Sequence, residues 1–323
     1  MDIQKICDEE ANDKNNYPVD TEYSFDMSFT VKKADGTTQT YTQHTMLAYY
    51  KEVNKNQNYN INYASEEECY EKIKEYQGDV LEKGDEIVEG SESIIITLQP
   101  QLAMTVMDQS TGEVKALVGG RGDKAGNRTW NRATDTMRQP GSTFKIIGCY
   151  AAALDAGGKT LASVQDDAPY KIQDKEFQNA AKKYYGLTTI REAITKSHNI
   201  TTLKTLQDIG VSLGYDYALK FGFTTLTADD KNLGLCIGGL VNGVKNLELT
   251  AAYAAIANGG EYMEPIFYTA VYDHEGNVLL DNKDQESHRV LKETTAYIRI
   301  NGTSRPADAR KLKELELEGQ NLS

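Results

Sequence analysis

The sequence predicts an α+β fold on three observations. Apolar and polar residues alternate with period two early in the chain. Two short apolar runs flank a glycine-containing turn near residue 110. Helical segments between 143 and 260 each stop at glycine. Strand signals at both ends with helices between them indicate an α+β domain.

In chain order, Tyr23-Ser24-Phe25-Asp26-Met27-Ser28-Phe29-Thr30-Val31 alternates before Ala34-Asp35-Gly36, which reads as a hairpin. From Ser65 to Gly84 the composition turns to Glu, Lys and Tyr with apolar residues at helical spacing, so a charged surface helix is expected near 67–76. At Gly90-Ser91-Glu92-Ser93 the chain becomes apolar, and the domain boundary is placed there. The expected organisation is a linker or pedestal region at 1–93, a main domain at 94–304 and a charged helical tail at 305–323.

Within the main domain, 103–107 and 114–118 are strands joined by Asp108-Gln109-Ser110-Thr111-Gly112. Helices are expected at 143–156, 200–209 and 244–257, closed by Gly157-Gly158, Gly210 and Asn258-Gly259-Gly260. Thr189-x-x-Glu192 supplies a capping box for a short helix running into Ser197. A strand at 266–272 then meets the turn Asp273-His274-Glu275-Gly276-Asn277.

Composition narrows function. Length 323 gives a prior of about two domains, or one large one with an appendage, and 39% hydrophobic with 26% charged residues excludes a chain disordered throughout. The 35 Lys+Arg against 48 Asp+Glu leave −13, a field that opposes a nucleic-acid partner. Cys7, Cys69, Cys149 and Cys236 lie far apart with no C-x-x-C, so they are expected to be single buried thiols rather than a zinc or disulfide framework. Neither a signal peptide nor a membrane span is read, and the histidines lack ligand spacing, so no metal or other cofactor is expected. His44, His198, His274 and His288 all read as surface or loop residues, with His198 set apart because it stands between two candidate site residues; Trp130 and the tyrosines read as packing residues.

The chemistry concentrates at Ser142-Thr143-Phe144-Lys145. Pro140-Gly141 places Ser142 at a helix start, and positions i and i+3 share a helix face. An amine there can take the hydroxyl proton if partial burial or a neighbouring cation keeps Lys145 neutral part of the time. S-x-x-K alone is weak, because a chain of this length carries about one by chance. Ser197-His198-Asn199 strengthens it with a second hydroxyl to relay protons and an amide to hold a peptide group. No other serine has Lys at +3, and none has Asn at +2.

Together S-x-x-K and S-x-N resemble the signature of penicillin-binding proteins and class A β-lactamases. The phrases around them are similar to the transpeptidase domain of class A penicillin-binding proteins. They run from Leu98-Gln99-Pro100-Gln101 through Asp108-x-x-Thr111-Gly112-Glu113-Val114, Val118-Gly119-Gly120-Arg121, Asn131-Arg132-Ala133 and Arg138-Gln139-Pro140-Gly141-Ser142. Leu247-Glu248-Leu249-Thr250-Ala251-Ala252-Tyr253 leads to Ala254-Ala255-Ile256-Ala257-Asn258-Gly259-Gly260, so the likeness spans roughly 94–298.

The resemblance implies an antiparallel sheet with helices on both faces and a serine D,D-transpeptidase that crosslinks peptidoglycan stem peptides and is acylated by β-lactams. Ser142 would be the nucleophile, Lys145 the base, Ser197 the proton relay and Asn199 the substrate anchor. It also implies a site on the extracytoplasmic face of a bacterial membrane, held by an anchor this sequence does not contain. The family's third element, K-T-G or K-S-G on a strand lining the cleft, does not occur. Gly302-Thr303-Ser304 more resembles a stretch preceding that element, so a truncated or altered C-terminal end is expected. Three alternatives stay open: a non-catalytic scaffold, a serine β-lactamase, for which no E-x-x-L-N element is found, and a penicillin-sensing domain.

Overall fold

The computed structural model describes residues 2–302 apart from 18, 123–125, 127, 128, 173 and 284. The expected helix at 305–323, Thr303 and Ser304 lie outside the described residues, as does Asp123. The chain forms two compact units. One contains the residues up to Leu102 together with Val118–Thr129, and the other contains Ala103–Leu117 and the chain from Trp130 onward.

In the first unit, α1 (Ile3–Asn12) precedes β1 (Glu22–Lys32), whose alternation buries Phe25, Met27, Phe29 and Val31 on one face. β2 (Thr38–Thr42) returns antiparallel, with Ser28 opposite Thr42 and Lys32 opposite Thr38. Asp35 fixes the turn by accepting from Thr37 N and Oγ1. After α2 (Gln43–Ala48), α3 (Glu66–Val80) starts at the Ser65 cap and packs Cys69, Ile73 and Tyr76 against the sheet. Its fully buried residues fall at i, i+4 and i+7, the spacing of one helix face.

β3 (Glu86–Ile87) and β4 (Ser93–Gln99) also pair with β1. β4 therefore belongs to the first unit, and the composition change at 90–93 marks the start of a strand rather than the edge of the unit. Its Ile94 and Ile96 pack on the same core as Phe25 and Phe29.

In the second unit, β5 (Met104–Met107) and β6 (Val114–Val118) form the expected hairpin, and Glu113 bridges to Ile266 in parallel. Pro265 and that bridge shorten the strand expected at 266–272 to Ala270–Tyr272, which pairs with Val278–Asp281. A 3₁₀ turn at Gly141–Thr143 passes through a π-helical turn at Ile146–Tyr150 into α4 (Ala151–Asp155). Ile147 to Ala153 are buried without interruption, so this rod is the hydrophobic axis of the unit.

Around that axis pack α5 (Ile190–Lys196), α6 (Asn199–Ile209), α7 (Val211–Lys220) and α8 (Asn246–Ala257), with Leu203, Leu206, Phe221, Leu235, Ala252 and Leu291 in one core. Close approach is built in at Gly214, where a Cβ would lie 2.5 Å from Gly148 O. α8 starts two residues later than expected because Val244 and Lys245 pair with Arg138 and Met137. α9 (Glu293–Gly302) carries Ile300-Asn301-Gly302 in a helix. All four cysteines are buried free thiols, as expected, and among the described residues no helix is long and apolar enough to cross a membrane.

Candidate active site

The site is assembled by loops that lock onto one another. Arg138 pairs with Val244, and Gln139 exchanges two hydrogen bonds with Leu240, donating to its carbonyl at 2.6 Å and accepting from its N–H at 2.7 Å. Gly238 sits against Gly141: its φ is +72°, and a Cβ there would lie 2.2 Å from Gly141 O. Thr143 Oγ1 donates to Pro140 O at 2.6 Å, and Tyr253 on α8 donates to Thr143 O at 2.7 Å. This clamp presents Ser142 at the surface of the 3₁₀ turn, while Phe144 and Lys145 turn into the core.

Lys145 is only 3% exposed. Its ammonium donates to Ser197 O at 2.6 Å and Ser197 Oγ at 2.9 Å. Burial pulls its pKa down from 10.5 to about 8, partly opposed by the Cys236 thiol. Near neutral pH a minority of roughly a tenth of these lysines is then already the free amine. The structure thus joins Lys145 to Ser197. Among the described residues it places no hydrogen bond on the Ser142 hydroxyl.

Ser197 ends α5 in the left-handed region, at φ 56° and ψ 47°, a conformation costing on the order of 1 kcal/mol for a residue with a Cβ. The Thr189 hydroxyl caps the other end of α5 by accepting from Glu192 N at 3.2 Å. Asn199 opens α6; its Nδ2 donates to Gln178 O at 2.9 Å, and its Oδ1 has no partner among the described residues.

His198 is not a surface histidine. It is 2% exposed, stacks on Tyr185 at 4.3 Å and lies 3.5 Å from the fully buried Asp167. Among the described residues neither ring nitrogen has a hydrogen-bond partner, and burial lowers its pKa although Asp167 pulls the other way. Trp130 also departs from expectation, being 65% exposed with its indole N–H on Thr136 Oγ1, because 129–136 is an open turn rather than a core segment. Glu248 is engaged by Thr224 and Lys245, as befits a structural helix residue. Among the described residues no metal-binding cluster occurs.

Sequence reasoning missed Asn179 and Asp167, which support the Ser197 turn from below, and the Gly238–Gln139 clamp. Gln139 sat inside a phrase already singled out, whereas a lone Asn in a polar loop carries no local signal.

The family described as penicillin binding protein transpeptidase domain matches residues 102–300, more than half of the chain. Penicillin-binding protein 1A of Clostridium tetani is 37% identical over 219 residues, covering 62% of this chain and 27% of that relative. Penicillin-binding protein 1F of Bacillus subtilis is 30% identical over 248 residues, covering 70% and 34%. Among solved structures, penicillin-binding protein 1A from Haemophilus influenzae aligns with TM-score 0.50 and 30% identity over 56% of this chain and 27% of that one. PonA1 from Mycobacterium tuberculosis in complex with penicillin V aligns with TM-score 0.54 over 61% and 55%; at 24% identity that likeness concerns the fold.

The chain belongs to the penicillin-binding protein transpeptidase family. Within it the similarity runs to the class A type, and the mixed helical and antiparallel architecture is that of its relatives. The chain spans 27% to 34% of the length of the two sequence relatives named.

Proposed function

We propose that the second unit is an acyl-serine D,D-transpeptidase domain acting on peptidoglycan stem peptides. The observation that carries this reading is the buried lysine of S-x-x-K, held at lowered pKa and bonded to the serine of S-x-N. Ser142 Oγ attacks the carbonyl of the penultimate D-alanine while its proton passes to the neutral amine of Lys145. The Ser142 backbone N–H faces the developing oxyanion, a contribution of about 3 kcal/mol. Lys145, now cationic, donates to Ser197 Oγ, and the Ser197 proton passes to the leaving nitrogen, so the C–N bond breaks and D-alanine departs. An amine of a second stem peptide then reverses the relay and takes the acyl group. Asn199 Oδ1, which has no partner among the described residues, accepts a substrate peptide N–H.

A β-lactam enters the same sequence, but its leaving nitrogen stays tethered, so the acyl group remains on Ser142. We assign this activity to the 94–304 span, minus the strand that serves the first unit, and treat 1–93 as a linker or pedestal. The substrate places the domain on the extracytoplasmic side of a bacterial membrane.

One observation favours a second reading, a non-catalytic transpeptidase-like scaffold: among the described residues no hydrogen bond joins the Ser142 hydroxyl to Lys145, whose ammonium is bonded to Ser197 instead. Release of D-alanine from a peptide ending in D-Ala-D-Ala separates the two. Release that disappears in Ser142→Ala supports the enzyme, and no release above the mutant's background supports the scaffold.

A further inference from the structure

We propose that Asn179, braced by Asp167, is a positioning residue that sets the Ser197-His198-Asn199 turn against Lys145; this rests on the assignment of Ser197 and Asn199 to the site. α6 has no cap of its own, because His198 at its N-cap position turns its ring toward Tyr185. Two of the orphan N–H groups are met from a loop twenty residues upstream: Asn179 Oδ1 accepts from Asn199 N at 2.8 Å and Ile200 N at 3.3 Å. The other end of the same side chain is anchored. Its Nδ2 donates at 2.9 Å to each Asp167 oxygen and to Lys183 O.

Both residues are buried, Asp167 completely; Asp167 ends the strand Val164–Asp167 that pairs with Gly186–Thr189, and Asn179 lies in a loop. That ladder ends at the Thr189 cap of α5. Asp167 and Asn179 therefore tie together the strand entering α5 and the first turn of α6, the two elements between which Ser197 is held in its left-handed conformation. An unpaired buried carboxylate would be costly, so Asp167 is present for what it orients. Neither side chain contacts Lys145. They act by fixing the Ser197 Oγ that lies 2.9 Å from its amine.

The test compares Asn179→Ala, Asp167→Ala and Asp167→Asn. The last keeps an acceptor for Asn179 and is the conservative rescue. The expected loss in the two alanine variants is about tenfold to a hundredfold in the rate constant for acylation by benzylpenicillin, the scale of a displacement near 1 Å, with the dissociation constant of the preceding complex little changed. Asp167→Asn should recover most of the rate. Independently of any acylation, the Lys145 titration followed by NMR should move up from about 8 toward ordinary lysine as the loosened turn admits water.

Folded alanine variants with wild-type acylation and an unchanged Lys145 titration overturn the positioning role. A wild type that is not acylated, with variants that still move the Lys145 titration, overturns the transpeptidase reading and leaves the positioning role standing. Should Asn179→Ala fail to fold, the Asp167 pair decides: equal Lys145 titrations in the Ala and Asn variants, both at the wild-type value, contradict the proposal.

Discussion

Replacing Lys145 with methionine should destroy acylation and at the same time stabilise the protein. The side chain is buried, and its pKa falls from 10.5 to about 8, so holding the cation in the fold at pH 7 costs about 3 kcal/mol relative to the unfolded chain. Methionine fills a similar volume without charge. It forfeits two hydrogen bonds to Ser197, worth about 1 kcal/mol each. The Ser197 side chain is exposed and can bond to water instead, which leaves a net gain of about 1 to 3 kcal/mol. At roughly 2–4 °C per kcal/mol for a unit of this size, Tm should rise by several degrees.

The sign with pH is fixed. Between about 8 and 10.5 the folded state binds fewer protons at Lys145 than the unfolded state, so wild-type stability climbs with pH through that window. The Met variant lacks this climb. Its advantage over the wild type should therefore be largest below pH 8 and vanish near 10.5. Thermal denaturation of both proteins at pH 7 and pH 10 measures it. A variant less stable than the wild type at pH 7, or a difference that does not change with pH, would refute the claim that Lys145 is held against a desolvation cost for the sake of its basicity.

Two further substitutions probe the frame of the site. Gly238→Ala forces a Cβ to 2.2 Å from Gly141 O at a φ of +72°, so a loss of about 2 kcal/mol or more in denaturant unfolding and slower acylation are expected; wild-type values for both would remove the clamp from the account. His198 is buried with a lowered pKa, so stability falls as pH drops below about 6.5, when the unfolded chain takes up a proton that the fold resists. His198→Phe, which keeps a ring to stack on Tyr185, should flatten the fall below pH 6.5; an identical acid limb in both proteins would show that His198 does not contribute to it.

Local chemistry was legible in the sequence, and support from distant residues was not. Period two in β1 located Phe25, Met27, Phe29 and Val31 because a strand with one wet face has no other way to bury them. Thr189-x-x-Glu192 located the start of α5, since the cap depends on residues three apart. Pro140-Gly141 placed Ser142 at the start of a helix, which in the structure begins as the 3₁₀ turn Gly141–Thr143.

By contrast, 146–154 is apolar all round, so no periodicity could reveal that it contains a π-helical turn. Asn179 caps α6 across twenty residues, and Asp167 supports it from another strand; both are polar residues in polar surroundings until the fold closes over them. Spacing suggested that Lys145 faces Ser142, but its hydrogen bonds go to Ser197, fifty-two residues away, because burial of the ammonium demands acceptors and the left-handed turn offers two.

The most direct measurement of the central claim is the intact mass of the protein after incubation with benzylpenicillin, run beside Ser142→Ala. A stable adduct of one drug mass is expected on the wild type and none on the variant. An unmodified wild type, or an adduct that persists when Ser142 is replaced, would contradict the assignment of Ser142 as the acylated nucleophile.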